Sequence, residues 1–192
     1  MLRGDHQRRR FDLAQTVGDA PAEEAPERGE ETAAVRSLVA VNTMPEVFVR
    51  TLRQRWMLWQ RLAVVRLLGM RAWARYLAPR FFPGDQHAEL RRAFVERWSS
   101  ADRHGFLAAL RGFLGWSVVN RLGEIAAPTL VVASEHDYTS VESKREWVAR
   151  MPQAELVVVP DSRHALPAER PEVLNRLVED FLHRVEGDGD PG

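Results

Sequence analysis

Apolar positions recur along this chain with two different periods. From Phe48 through Leu52, Trp56, Trp59 and Ala63 to Leu67 they fall three and four residues apart, the stripe of an amphipathic helix. Pro45 and Glu46 are expected to open it. A second short helix is expected around Trp73, Tyr76 and Leu77, stopped by Pro79, with Phe81-Phe82-Pro83-Gly84 as a loop. Leu90, Phe94, Val95 and Trp98 mark a third helix. Phe106, Leu107, Leu110, Phe113 and Leu114 mark a fourth, with Ser100 or Asp102 as its N-cap. Residues 45–122 therefore read as helical and rich in aromatics.

Elsewhere the apolar residues are contiguous. SLVAVNT (37–43), PTLVVAS (128–134) and AELVVVP (154–160) are short β-branched runs bounded by turn residues, the pattern of buried strands. Thr139 and Glu142 have capping-box spacing for a helix through Arg150, ended by Met151-Pro152. Pro171 opens a last helix whose apolar face is Val173, Leu174, Leu177, Val178, Phe181 and Leu182. Strand–helix–strand–helix order with parallel-type strands predicts an α/β sheet.

Composition narrows the chemistry. The 192 residues carry 27 Lys+Arg and 27 Asp+Glu, so no basic excess favours a nucleic-acid partner. The absence of cysteine excludes disulfides, thiolate chemistry and Cys-ligated metals. No apolar run approaches a membrane span, and the basic start has no apolar segment behind it, so a cytoplasmic protein is expected. Lys144 is the only lysine, a bias expected of a GC-rich genome. The neutral total hides a polarised chain. Residues 1–34 combine Arg8-Arg9-Arg10 with an acidic, Pro-containing stretch and read as a mobile leader. From Val47 to Gly84 eight arginines occur with no acid between them, expected as a solvated helix face.

Loops that follow parallel strands lie at the sheet's carboxyl edge, where α/β folds place their chemistry. Asp137 and His164 stand on two such loops. A carboxylate bonded to one imidazole nitrogen fixes the tautomer and leaves the other nitrogen free as a general base. Asp161, three residues from His164, is the alternative acid; Glu135 is a weaker one. His136, His87 and His104 are expected at the surface. The tryptophans Trp56, Trp59, Trp73, Trp98 and Trp116 pack a helical core or line an apolar pocket.

PTLVVASEHDYTSV resembles the strand-and-acid segment of the α/β-hydrolase superfamily. MPQAELVVVPDSRHALPAERPEVLNRLVEDFL resembles its closing strand, histidine loop and last helix, and AAVRSLVAVNTMP the strand that follows the helix after the nucleophile. The resemblance implies the later part of that fold: three parallel strands with flanking helices plus a helical cap. The implied divisions are 35–44 core strand, 45–124 cap, 125–186 core and 187–192 disordered tail. It further implies Asp137 as the triad acid and His164 as the base, with no cofactor or metal, acting on a small apolar ester-like substrate.

The family's G-x-S-x-G nucleophile elbow does not occur; Gly115-Trp116-Ser117 is the nearest fragment and is read as structural. Leu13-Ala14-Gln15-Thr16 faintly resembles the helix behind the elbow. The expectation is a truncated hydrolase chain, inactive alone, whose intact form uses a serine or, as in related dehalogenases, an aspartate. Two alternatives remain. One is a non-catalytic remnant that binds a ligand or partner, with strand 37–43 offering an open edge for self-association or a complementing chain. The other is a membrane-surface or nucleic-acid module using the 47–84 arginines.

Overall fold

A computed structural model describes residues 35–187. Its centre is a three-stranded parallel sheet of order β1-β2-β3, with β1 Leu38–Val41, β2 Thr129–Ser134 and β3 Ala154–Val159. Every residue of β2 is buried. Its alternate side chains serve opposite faces, as a strand's two-residue period requires. Leu130 and Val132 pack with Val159, Leu166, Leu174 and Phe181, while Val131 packs with Leu122, Trp147, Val148 and Met151. The first face is closed by α6 (Pro171–Gly187), whose first residue is the proline suited to a helix start. The second carries α4 (Val141–Val148), and the short α5 (Leu166–Glu169) precedes α6.

The long connection from β1 to β2 is helical, in α1 (Leu52–Phe81), α2 (Ala88–Ser99) and α3 (Arg103–Gly112). Val65, Met70, Trp73 and Leu107 form a separate apolar cluster there. α1 starts seven residues later than Pro45 suggests. The Thr51 hydroxyl accepts from Gln54 N–H and the Gln54 side chain accepts from Thr51 N–H, a complete capping box. Residues 45–47 instead pair with 115–118: Val47 N–H donates to Trp116 O and Val118 N–H to Pro45 O, each at 2.9 Å. The break between the first two expected helices is a kink at Gly69, whose φ of 80° favours glycine. Pro79 does not stop the helix; it lies within the last turn before Phe81. Asp102 is the N-cap of α3, bonding His104 and Gly105 N–H. The expected leader, residues 1–34, and residues 188–192 lie outside the described residues.

Candidate functional site

The strand ends converge at the sheet's carboxyl edge, and backbone bonds tie the two loops there. Glu135 N–H donates to Val159 O at 3.1 Å and His136 N–H to Ser162 O at 2.9 Å. The Glu135 carboxylate accepts from Asp161 N–H at 2.8 Å. Two residues at this edge have positive φ without being glycine, Asn42 (48°) after β1 and Asp161 (45°) after β3. Asn and Asp tolerate that conformation better than other side chains, and it lets the chain turn sharply.

His164 Nδ1 lies 2.7 Å from Asp137 Oδ1. The Asp137 side chain is 1% exposed and that of His164 35%. Burial alone would raise the Asp137 pKa. Hydrogen bonds from His164, Lys144 and Thr139, together with the Lys144 charge, outweigh it and lower the value to about 2. Asp137 is therefore ionised at neutral pH and can only accept, so Nδ1 carries the proton and donates it to Oδ1. With Nδ1 engaged, Nε2 is the ring nitrogen left free of that bond.

The alternatives weighed from sequence fall elsewhere. Asp161 pairs with Arg170 at 3.3 Å and is exposed; Glu135 is taken up by the loop tie. His136 is half exposed beside Glu135, and His104 is exposed near its capping Asp102.

Sequence reasoning missed the polar groups that hold this pair. Lys144, the lone lysine, is 0% exposed. Its ammonium donates to Asp137 Oδ2 at 2.7 Å, to Thr139 O at 2.9 Å, and to the Thr139 hydroxyl. Thr139 in turn donates to Asp137 Oδ2 at 2.9 Å. Thr139 is thus not the helix cap; Ser140 is, accepting from Ser143 N–H. Asn42 clamps the histidine loop from β1. Its Nδ2 donates to His164 O at 3.0 Å, to Arg163 O at 3.2 Å and to Ser134 Oγ at 2.9 Å, while Ser134 N–H donates to its Oδ1 at 2.8 Å. Ser134 Oγ also donates to Arg163 O at 2.7 Å. The one available signal for Lys144 was its uniqueness among 27 basic residues.

Aromatic rings flank the imidazole. Tyr138 stacks on it with centroids 4.3 Å apart, and Phe81, from the end of α1, lies at 5.4 Å. Burial pushes the Tyr138 hydroxyl pKa well up and the Asp137 charge adds to this, opposed by Arg61, so the hydroxyl stays protonated. Beyond Tyr138 a cavity of about 560 Å³ is lined by Trp56, Trp59, Trp73, Tyr76, Arg61 and Arg80, among others. Trp73 takes both roles weighed from sequence, core packing and cavity lining. Trp73 is buried in the helical cluster, whereas Trp56 and Trp59 are 57% and 61% exposed at the cavity. Of the eight arginines from Arg50 to Arg80, Arg61 alone is half-buried; the others are exposed.

Among the described residues no three or more His, Asp or Glu side chains are grouped to hold a metal, and no helix is long and apolar enough to cross a membrane.

A sequence model of the alpha/beta hydrolase family matches residues 13–177. The match begins at the stretch whose faint likeness to the helix behind the elbow was noted above. The chain is 41% identical over 68 residues to 2-hydroxy-6-oxo-6-phenylhexa-2,4-dienoate hydrolase of Burkholderia cepacia, covering 35% of this chain and 24% of that protein. It is 34% identical over 96 residues to 2-hydroxy-6-oxononadienedioate/2-hydroxy-6-oxononatrienedioate hydrolase of Comamonas testosteroni, covering 45% and 33%. Among solved structures, it superposes on the enol-lactonase of Burkholderia xenovorans LB400 with a TM-score of 0.70 at 20% identity, covering 80% of this chain and 58% of that one. A thermophilic esterase of Thermogutta terrifontis gives 0.69 at 22%, covering 81% and 58%. The aligned segments thus span a quarter to a third of the curated relatives, and under two thirds of the structural ones. The parallel sheet, its flanking helices and a family match over most of the sequence agree: the chain belongs to the alpha/beta hydrolase family.

Proposed function

We propose that this chain carries the acid–base half of a hydrolytic triad, with His164 as the general base and Asp137 as its orienting acid. The observation that carries this reading is the 2.7 Å contact between His164 Nδ1 and a buried, ionised Asp137. In the complete reaction His164 Nε2 takes the proton of a nucleophilic hydroxyl as that oxygen attacks an acyl carbonyl. Asp137 stabilises the imidazolium, which then protonates the leaving group, and water releases the acyl enzyme. No G-x-S-x-G elbow is present in the 192 residues, so the nucleophile belongs to a segment outside this sequence and the chain is inactive alone. The outer edge of β1 suits that segment. β1 has a strand partner on one side only among the described residues, and its Asn42 end touches the His164 loop. A parallel strand paired there, about 4.8 Å away, would end beside the imidazole.

The helical region then acts as a cap, and the cavity next to Tyr138 takes the substrate. Its stacked Trp56 and Trp59, 5.5 Å apart, favour a flat apolar body. Arg61 and Arg80 favour a carboxylate on it, in keeping with the dienoates for which the two curated relatives are named. The same cavity supports a second reading, a non-catalytic chain that binds such a ligand.

Fluorophosphonate labelling separates the two readings. The chain alone is expected to give no labelled serine. Co-expressed with the early strands and elbow of a related hydrolase, it is expected to support labelling of the elbow serine, lost in His164→Ala. Labelling of a serine in the chain alone would place the nucleophile within these residues. Elbow labelling indifferent to His164→Ala would remove the acid–base assignment and leave the binding reading.

A further inference from the structure

The fourth residue of α4 is a lysine whose ammonium is drawn back toward the helix N-terminus and sealed from solvent. That end of a helix repels cations, because its unpaired N–H groups carry partial positive charge. A buried ammonium also forgoes its hydration, so the position is unfavourable twice over. What offsets it is local. All three ammonium protons have acceptors, in Asp137 Oδ2, Thr139 O and Thr139 Oγ1. The two carboxylate oxygens of Asp137 are thereby divided. Oδ2 receives Lys144 and Thr139, and Oδ1 receives only His164.

We propose that Lys144 is a positioning residue: by occupying Oδ2 with Thr139, it fixes the rotation of the Asp137 carboxylate and presents Oδ1 alone to the imidazole. A carboxylate free to rotate would share its oxygens among several orientations, and the imidazole plane would follow it. Lys144 also supplies the buried countercharge to Asp137. The shared carboxylate couples Lys144 to His164. The other groups facing the pair are the Tyr138 ring, Phe81 from α1, the Asn42 amide on the His164 carbonyl, and Arg61 beyond Tyr138. This role presupposes the acid–base reading of Asp137 and His164, but its test requires no turnover.

Because the chain has one lysine, ¹⁵N-lysine labelling of the full chain gives a single side-chain signal without assignment. The expected ammonium signal is protected from exchange and moves in His164→Gln, because the two side chains share the Asp137 carboxylate. In Lys144→Met the Asp137 carboxyl, followed by ¹³C shift, is expected to titrate at least one pH unit higher, a tenfold gain in proton affinity. A lysine signal that exchanges freely, or one unmoved by His164→Gln, overturns the proposal; so does an unmoved Asp137 titration in a folded Lys144→Met. If that variant does not fold, the lysine signal of the unaltered chain and its response to His164→Gln decide alone. Failure of the hydrolase reading would appear in the labelling experiment and leave these signals unchanged.

Discussion

The carboxyl edge of the sheet and the cavity under α1 sit side by side and are built on opposite terms. At the sheet edge, polar groups are sealed in and fully paired. Asp137, Lys144, Ser134, Ser162 and Asn42 are buried, and among the described residues no buried side-chain nitrogen or oxygen lacks a hydrogen-bond partner. At the cavity, large apolar groups are left open. Trp56, Trp59 and Tyr76 face solvent, with Arg80 stacked 3.8 Å above the Tyr76 ring. The first arrangement keeps the Asp137 carboxylate ionised. The second leaves apolar area uncovered, which is what a site for a flat apolar molecule needs. The polar pairing is part of the folded core, and the open apolar surface is not.

If so, substitutions at the edge should disturb folding while those at the cavity should not. The largest effect is expected for Asp137→Ala, which leaves the Lys144 ammonium buried without a countercharge and should cost about 3–5 kcal/mol in denaturant unfolding. Acid should act next. The Asp137 pKa lies below its ordinary value when folded, so its contribution is complete above about pH 4 and is lost as pH falls through about 2. With one unit worth about 1.4 kcal/mol, roughly 2 kcal/mol should disappear over that interval, and Asp137→Asn should flatten the slope. Ser134→Ala removes bonds to Arg163 O and Asn42 and should cost about 1 kcal/mol, loosening the His164 loop as read by amide exchange. Trp59→Ala should change stability by less than about 0.5 kcal/mol while weakening quenching of tryptophan fluorescence by an aromatic carboxylate. Equal costs for Trp59→Ala and Asp137→Ala would erase the distinction between the two regions.

The parts legible in the sequence were those with short-range signatures. The contiguous apolar run of β2 announces a strand buried on both faces, and the Val173–Leu182 stripe announces α6. Asp137 and His164 were legible because each follows such a strand at loop distance, so that parallel pairing brings their loops to one edge. What was hidden depended on reach across the fold. Lys144 contacts Asp137 only because its side chain runs back along α4 into a turn made by Thr139, and Asn42 meets His164 across 122 positions. Local competition hid other features. Thr139 and Ser140 both suit an N-cap, and the ammonium claims the first while the helix takes the second. Pro45 suits a helix start, but its carbonyl is taken by Val118 and the helix waits for Thr51.

The claim on which the rest depends is that the core edge orders the Asp137–His164 pair without help from a nucleophile or substrate. Nitrogen-15 and proton NMR of the His164 ring in the chain by itself tests this directly. The expected result is one tautomer protonated at Nδ1, with a downfield, slowly exchanging proton that is lost in Asp137→Asn. A ring that averages both tautomers, with no protected proton, would contradict it.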